Sequence, residues 1–169
     1  MAYFPTQPRL GTQPIATNDT IKRHQLGTRV FATDPVYGDG EFIYLQGVAS
    51  TVVGSVVTYD GASSGTPTYQ TALAPATANL GQPLAVAMSA CVANQFGWYQ
   101  ISGSAVCATN GTLAAGPGKV FLAGTGQLTS TAGAGLQVLS ARNDTATGTP
   151  AANQAVVQID HPSAQGQIT

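Results

Sequence analysis

The sequence predicts an all-β fold, a compact and mostly antiparallel sandwich or barrel preceded by an extended N-terminal arm. Three observations point there. Val, Ile, Thr, Tyr and Phe gather in short runs bounded by Gly, Pro, Asn and Asp. Turn signals recur between the runs, at Asp34-Pro35, Gly38-Asp39-Gly40, Asp60-Gly61, Asn110-Gly111 and Asn143-Asp144. The best helical segment, Thr71 to Leu80, is interrupted by Pro75 and reads as a loop. Strands at a spacing of roughly 8–12 residues are the pattern of sandwiches and barrels.

In chain order, residues 1–28 read as the arm. Pro5, Pro8 and Pro14 argue against a helix there. Through Arg29 the chain carries four cations (Arg9, Lys22, Arg23, Arg29) against the single acid Asp19, a net +3 that leaves the remainder at −4. Such a segment either frays or orders on a partner's surface. Strands are expected at Gly27–Ala32, Glu41–Val48, Val52–Tyr59, Thr68–Leu73, Leu84–Val92, Trp98–Ile101, Ser104–Ala108, Lys119–Leu122, Leu136–Ala141 and Ala155–Asp160. Val157 and Ile159 alternate with Val156 and Gln158, as one buried face requires. In Ala85-Val86-Ala87-Met88 small residues fill both faces, fitting a strand covered by the core on one side and by a neighbour on the other. The β-domain is thus set at 29–162, with 163–169 as a C-terminal tail.

From Gly61 to Gly118 the chain has no Asp, Glu, Lys, Arg or His, 58 residues in a row. Charged residues usually make up about a quarter of a globular domain. A membrane-spanning helix needs about 20 apolar residues, and the longest apolar run here is Leu84-Ala85-Val86-Ala87-Met88. Disordered chains combine low hydrophobicity with high net charge, whereas this one is 43% hydrophobic at net charge −1. So few charges give little repulsion between free copies, so much of the surface is expected to be covered, by copies of the chain or by a larger assembly. The first residues lack the basic start and apolar block of a secretory signal, and production and use in the cytoplasm, or in something assembled there, are expected.

Catalytic and cofactor signatures are sparse, and no cofactor, metal or catalytic residue is assigned. Gly116-Pro117-Gly118-Lys119 resembles a phosphate loop only superficially, since Leu113 stands at the first glycine position and Val120 replaces the metal-binding Ser or Thr. Asp34, Asp39 and Glu41 cluster around Tyr37-Gly38, where Asp commonly serves turn hydrogen bonding. His24 sits in the arm and His161 follows Asp160, with no serine marked as a nucleophile and no GxSxG elbow. A hydrolase built on Asp34, Asp39, Glu41 or Asp160-His161 requires those groups to converge in a pocket. Six basic residues, scattered, do not make a specific nucleic-acid surface. The Asn-x-Thr sequons at Asn18, Asn110 and Asn143 read as accidents of a Thr-rich chain.

Cys91 and Cys107, with no His or carboxylate between them, are not a zinc site. They read as buried free thiols or as a disulfide between neighbouring strands. Gln95-Phe96-Gly97-Trp98-Tyr99-Gln100 is the strongest aromatic segment. One of two adjacent strand residues should point inward and the other outward, and an outward Trp or Tyr suits a subunit interface or a sugar ring. The interface candidates are therefore Arg9, Lys22, Arg23, Arg29, Phe96, Trp98 and Tyr99.

The block Tyr37-Gly38-Asp39-Gly40-Glu41-Phe42-Ile43-Tyr44-Leu45-Gln46-Gly47-Val48 leads into Val53-Gly54-Ser55-Val56-Val57-Thr58-Tyr59-Asp60. Gly81-Gln82-Pro83-Leu84-Ala85-Val86-Ala87 and Gly97-Trp98-Tyr99-Gln100-Ile101-Ser102-Gly103 follow. Together, over about residues 37–108, these resemble the head decoration (cement) proteins of tailed bacteriophages. The resemblance implies a β-barrel or β-tulip, a trimer in preference to a dimer, and many copies bound to major capsid proteins on the outer surface of the virion. No enzymatic activity, membrane or specific nucleic acid belongs to that picture. The arm and the Gly/Thr-rich stretch from Thr125 to Pro150 lie outside the resemblance. The competing expectation is a receptor- or glycan-binding fibre or tip module that uses Trp98 and Tyr99.

Overall fold

The computed structural model describes residues 4–5, 11–59 and 68–167, with residues 4 and 5 described by their backbone alone. Arg9 and the Asp60-Gly61 turn lie outside the described residues. The described chain is all-β and mostly antiparallel. Its strands are β1 (Phe4–Pro5), β2 (Asn18–Asp19), β3 (Arg29–Asp34), β4 (Gly38–Gln46), β5 (Val56–Tyr59) and β6 (Thr71–Leu73). They continue as β7 (Leu84–Ala87), β8 (Phe96–Ala108), β9 (Phe121–Gly124), β10 (Gln127–Thr129), β11 (Val138–Asn143) and β12 (Gln154–Ala164). The main sheet runs β1-β3-β4-β8-β7-β5-β6, with β12 and β2 also on β8 and β11 on β12, while β9 and β10 form a separate hairpin. No helix in the described chain is long and apolar enough to cross a membrane.

The hub is β8. Its first half pairs with β2, β4 and β7, and its second half with β12. Two strands were expected here, Trp98–Ile101 and Ser104–Ala108. The chain instead runs through Gly103, which takes φ +101° and packs so closely on β4 that a Cβ would lie 2.3 Å from the Asp39 carbonyl oxygen. Only glycine supplies both properties, so a residue that usually breaks a strand here lets one continue.

Both faces of the sheet are covered by the chain itself. Phe42, Tyr44 and Trp98 point to one side with Ile15, Val30 and Met88, while Ile43, Leu45, Tyr99 and Ile101 point to the other with Val57 and Cys91. A third cluster, including Leu84, Val86, Leu113, Val120, Leu122, Leu128 and Val157, fills the other half. β7 therefore needs no neighbouring molecule on its second face. Leu84 and Val86 enter the third cluster, and Ala85 and Ala87 enter the second. Each fully buried large side chain contributes about 1.5–3 kcal/mol relative to exposure.

The expected boundaries shift accordingly. The segment from Gln13 to Thr28 is packed on the domain: Ile15 is 1% exposed, Trp98 Nε1 donates to the Gln13 carbonyl at 3.0 Å, and Tyr44 Oη donates to Gln13 Oε1 at 3.1 Å. At the other end β12 continues to Ala164, which is buried and donates its N–H to the Gln82 carbonyl. Within the Gly/Thr-rich stretch, Thr125 (φ 51°) and Gly126 (φ 74°) form the two-residue turn of the β9–β10 hairpin.

Candidate functional site

Among the described residues, acidic, basic and imidazole side chains from distant parts of the chain converge on the outer face over β3, β4 and β12. Glu41 on β4 and Asp160 on β12 both stand opposite Ser102 on β8, which brings them to the same face. Two irregularities aim the groups at each other. β8 inserts Ile101 between the pairs Glu41–Ser102 and Phe42–Gln100. In β12, Asp160-His161-Pro162 bulges out opposite the single residue Ser140 of β11. His161 (φ 49°) and Ser140 (φ 55°) both adopt the left-handed conformation there. Bulges re-aim side chains, and left-handed non-glycine residues persist only where surrounding contacts hold them.

The result is a connected ionic network. Arg29 Nη1 lies 3.3 Å from Glu41 Oε1, and His161 Nε2 lies 3.1 Å from Glu41 Oε2. On its other side His161 Nδ1 lies 2.9 Å from Asp160 Oδ1. Glu41 is buried, while Arg29 and His161 are about half exposed. The two carboxylates occupy opposite nitrogens of one imidazole, so the three groups cannot close on a single ion. Among the described residues no trio of His, Cys, Asp or Glu is placed to hold a metal. Nor does the ring keep a free nitrogen to take a proton from a hydroxyl such as that of Ser102, which general-base activation requires. What this geometry does is tie β3, β4 and the end of β12 together.

The other acids of the sequence-based cluster lie elsewhere. Asp34 is buried and its Oδ1 accepts the N–H groups of Val36 (2.7 Å) and Tyr37 (3.0 Å), which closes the β3–β4 turn. Asp39 accepts from the Thr33 hydroxyl. Asn143 holds the Gly116–Lys119 loop shut: its Oδ1 accepts the Gly118 N–H and its Nδ2 donates to the Ala114 carbonyl. Those glycines serve a braced turn.

The aromatic pair requires a correction. Trp98 is 1% exposed and Tyr99 0%, on opposite faces of β8, because each face is covered. Trp98 packs edge-on against Tyr44 with ring centres 5.0 Å apart, and His24 lies 5.4 Å away. Burial pushes the Tyr99 hydroxyl pKa up. Neither ring is available to a partner or a sugar, and Phe96 is half-buried against the Trp98 cluster. Of the basic candidates, Arg23 pairs with Asp19 at 2.6 Å, Arg29 belongs to the network, and Lys22 is exposed. Cys91 and Cys107 are both buried and unpaired, in different clusters.

Among the described residues, both ring nitrogens of His161 are engaged and the Trp98 indole is enclosed. No protein family, curated protein or solved structure matches the chain. Sequence reasoning missed Gln13 and Ser140, which no local motif announces, and read Asn143 as a turn residue and a sequon where its buried side-chain amide braces the Gly116–Lys119 loop.

Proposed function

We propose that the protein is a non-enzymatic structural component of a tailed-phage virion that decorates the capsid in many copies and stabilises it by binding major capsid proteins. One observation carries the reading. From Phe42 to Ala141, one hundred residues contain two charges, Asp60 and Lys119, and the described part of that span supplies most of the packed β interior and the loops around it. Exposed Val52, Val53 and Val92 lie in those uncharged loops. The loops adjoin, since the Gly47 N–H donates to the Gln95 carbonyl and the Gly54 N–H to the Ala87 carbonyl. Charge is depleted at the cores of protein interfaces, and burying such a surface leaves no unpaired ion behind. A barrel or tulip form and self-association belong to the same proposal, through the resemblance of residues 37–108, which favours a trimer and leaves a dimer open.

The test is made on particles. Purified virions should contain the chain in a fixed, repeated stoichiometry, and particles stripped of it should rebind the purified protein and regain heat resistance. Absence from virions, or unchanged heat resistance without it, would overturn the proposal.

A further inference from the structure

We propose that two copies of the chain associate about a two-fold axis through the outward side of β11, with Arg142 of each copy facing Asp144 of the other. The proposal deepens the multi-copy reading and rests on it for the high local concentration that a shell provides. The inference starts from which charges are already engaged. Asp19 is bonded to Arg23, and Glu41 and Asp160 share His161, with Arg29 also on Glu41. Asp34 and Asp39 are bonded within their turn. Among the described residues this leaves Lys22, Lys119, Arg142 and Asp144 as the charged side chains without a hydrogen-bonding or ionic partner.

Arg142 and Asp144 form a doublet. Both are exposed, and the buried Asn143 between them points inward. The Asp144 N–H donates to the Val156 carbonyl at 2.9 Å, which extends the β11–β12 ladder past the end of β11. Residues two apart on such a ladder share a face. A cation and an anion side by side on one strand are self-complementary across a two-fold axis, because residue i of one copy meets j of the other while j meets i. A partner of uniform charge would satisfy one member of the doublet and repel the other.

The surroundings suit the same occupant. Beside the doublet lies an open recess of about 500 Å³ lined by Ser140, Arg142, Gln158 and Asp160, and the exposed Leu139 precedes it on β11. The Asp160 carboxylate in that recess is already held by His161, and Lys119 belongs to a separate recess beside Asn143, lined by Gly116, Gly118 and Ser130. Exposed ion pairs are weak singly, so the contact is expected to be modest in solution and effective where copies are crowded on a surface.

Sedimentation equilibrium of the full chain near millimolar concentration tests the proposal. A dimer is expected at about 20 mM salt and its loss at about 0.5 M. Arg142→Glu and Asp144→Arg should each weaken dimerisation by about tenfold or more. The double variant, with the doublet reversed, should restore it. A monomer at low salt, single variants that dimerise like the parent, or a double variant as weak as the single ones would each overturn the proposal. Particle binding by the same variants is scored separately: if the parent protein binds capsids without dimerising, the pairing fails and the decoration role stands, and if it dimerises without binding, the reverse holds.

Discussion

Trp98→Phe tests the packing of the N-terminal segment most directly, because it removes one buried bond between that segment and the sheet. Trp98 is almost fully enclosed and its Nε1 donates to the Gln13 carbonyl at 3.0 Å. Phenylalanine keeps much of the ring but has no N–H, so that carbonyl is left in the interior without its donor, which costs about 1–3 kcal/mol. The lost ring atoms leave a void of some tens of Å³, which at about 24 cal/mol per Å³ adds roughly 1 kcal/mol. The expected loss is about 2–4 kcal/mol, against a total stability of about 5–15 kcal/mol for a domain of ordinary size. Urea unfolding followed by far-ultraviolet circular dichroism gives the total, by linear extrapolation. Amide exchange gives its location. Residues 11–28 should exchange faster in the variant, while β12, across the sheet, should keep its protection until global unfolding. A cost below about 0.5 kcal/mol, or residues 11–28 unprotected already in the parent protein, would refute the account of the segment as part of the core.

Two further outcomes follow from the same geometry. Gly103→Ala should destabilise by about 2 kcal/mol or more, since φ is +101° and the new Cβ meets the Asp39 carbonyl oxygen. Gly38→Ala, at φ +75° with open space around it, should cost only about 1 kcal/mol; equal costs in urea unfolding would remove the close approach as the reason for glycine. Burial pushes the Cys107 thiol up to about 12, from 9.0. The unfolded chain therefore loses this proton first, so the thiol's contribution to stability is complete below about pH 9 and is lost as pH rises toward 12. Comparing Cys107→Ala with the parent across that window should show a flatter alkaline decline in the variant, and an identical decline would mean the thiol is not buried.

Strand content was legible because each run of Val, Ile, Tyr and Phe ends at a turn residue, and the chain obeys that grammar from β3 to β7. It misled where turn and strand chemistry overlap. Gly103 looked like a break and is a close-packing point, while Thr125-Gly126, which carries none of the turn signals singled out in the sequence, is a hairpin turn whose first residue is a β-branched side chain at positive φ. The aromatic segment misled for a different reason. Alternation in β8 was read correctly, but an outward side chain is exposed only if nothing covers that face, and here the chain folds back over both. The ionic network was legible only in part. Asp160-His161 and Glu41 were visible as reactive types, but their meeting depends on two bulges, and a bulge is a register event between strands with no local signature.

The meeting of those charges also explains how so neutral a protein is arranged. Apart from Asp60 and Lys119, the charged residues lie before position 42 or after position 141, and β8, itself uncharged, pairs with β4 on one side and β12 on the other. The two charged ends of the sequence are thereby drawn to one face, where Arg29, Glu41, His161 and Asp160 bond to one another. Pairing of this kind adds little stability when exposed, but it sets opposite charges side by side on one face. The repulsion available between copies is thus set by a net charge of only −1. A chain arranged in this way opposes close packing of its copies only weakly, and the unpaired doublet on β11 then stands out as the place where the remaining charge can direct how they meet.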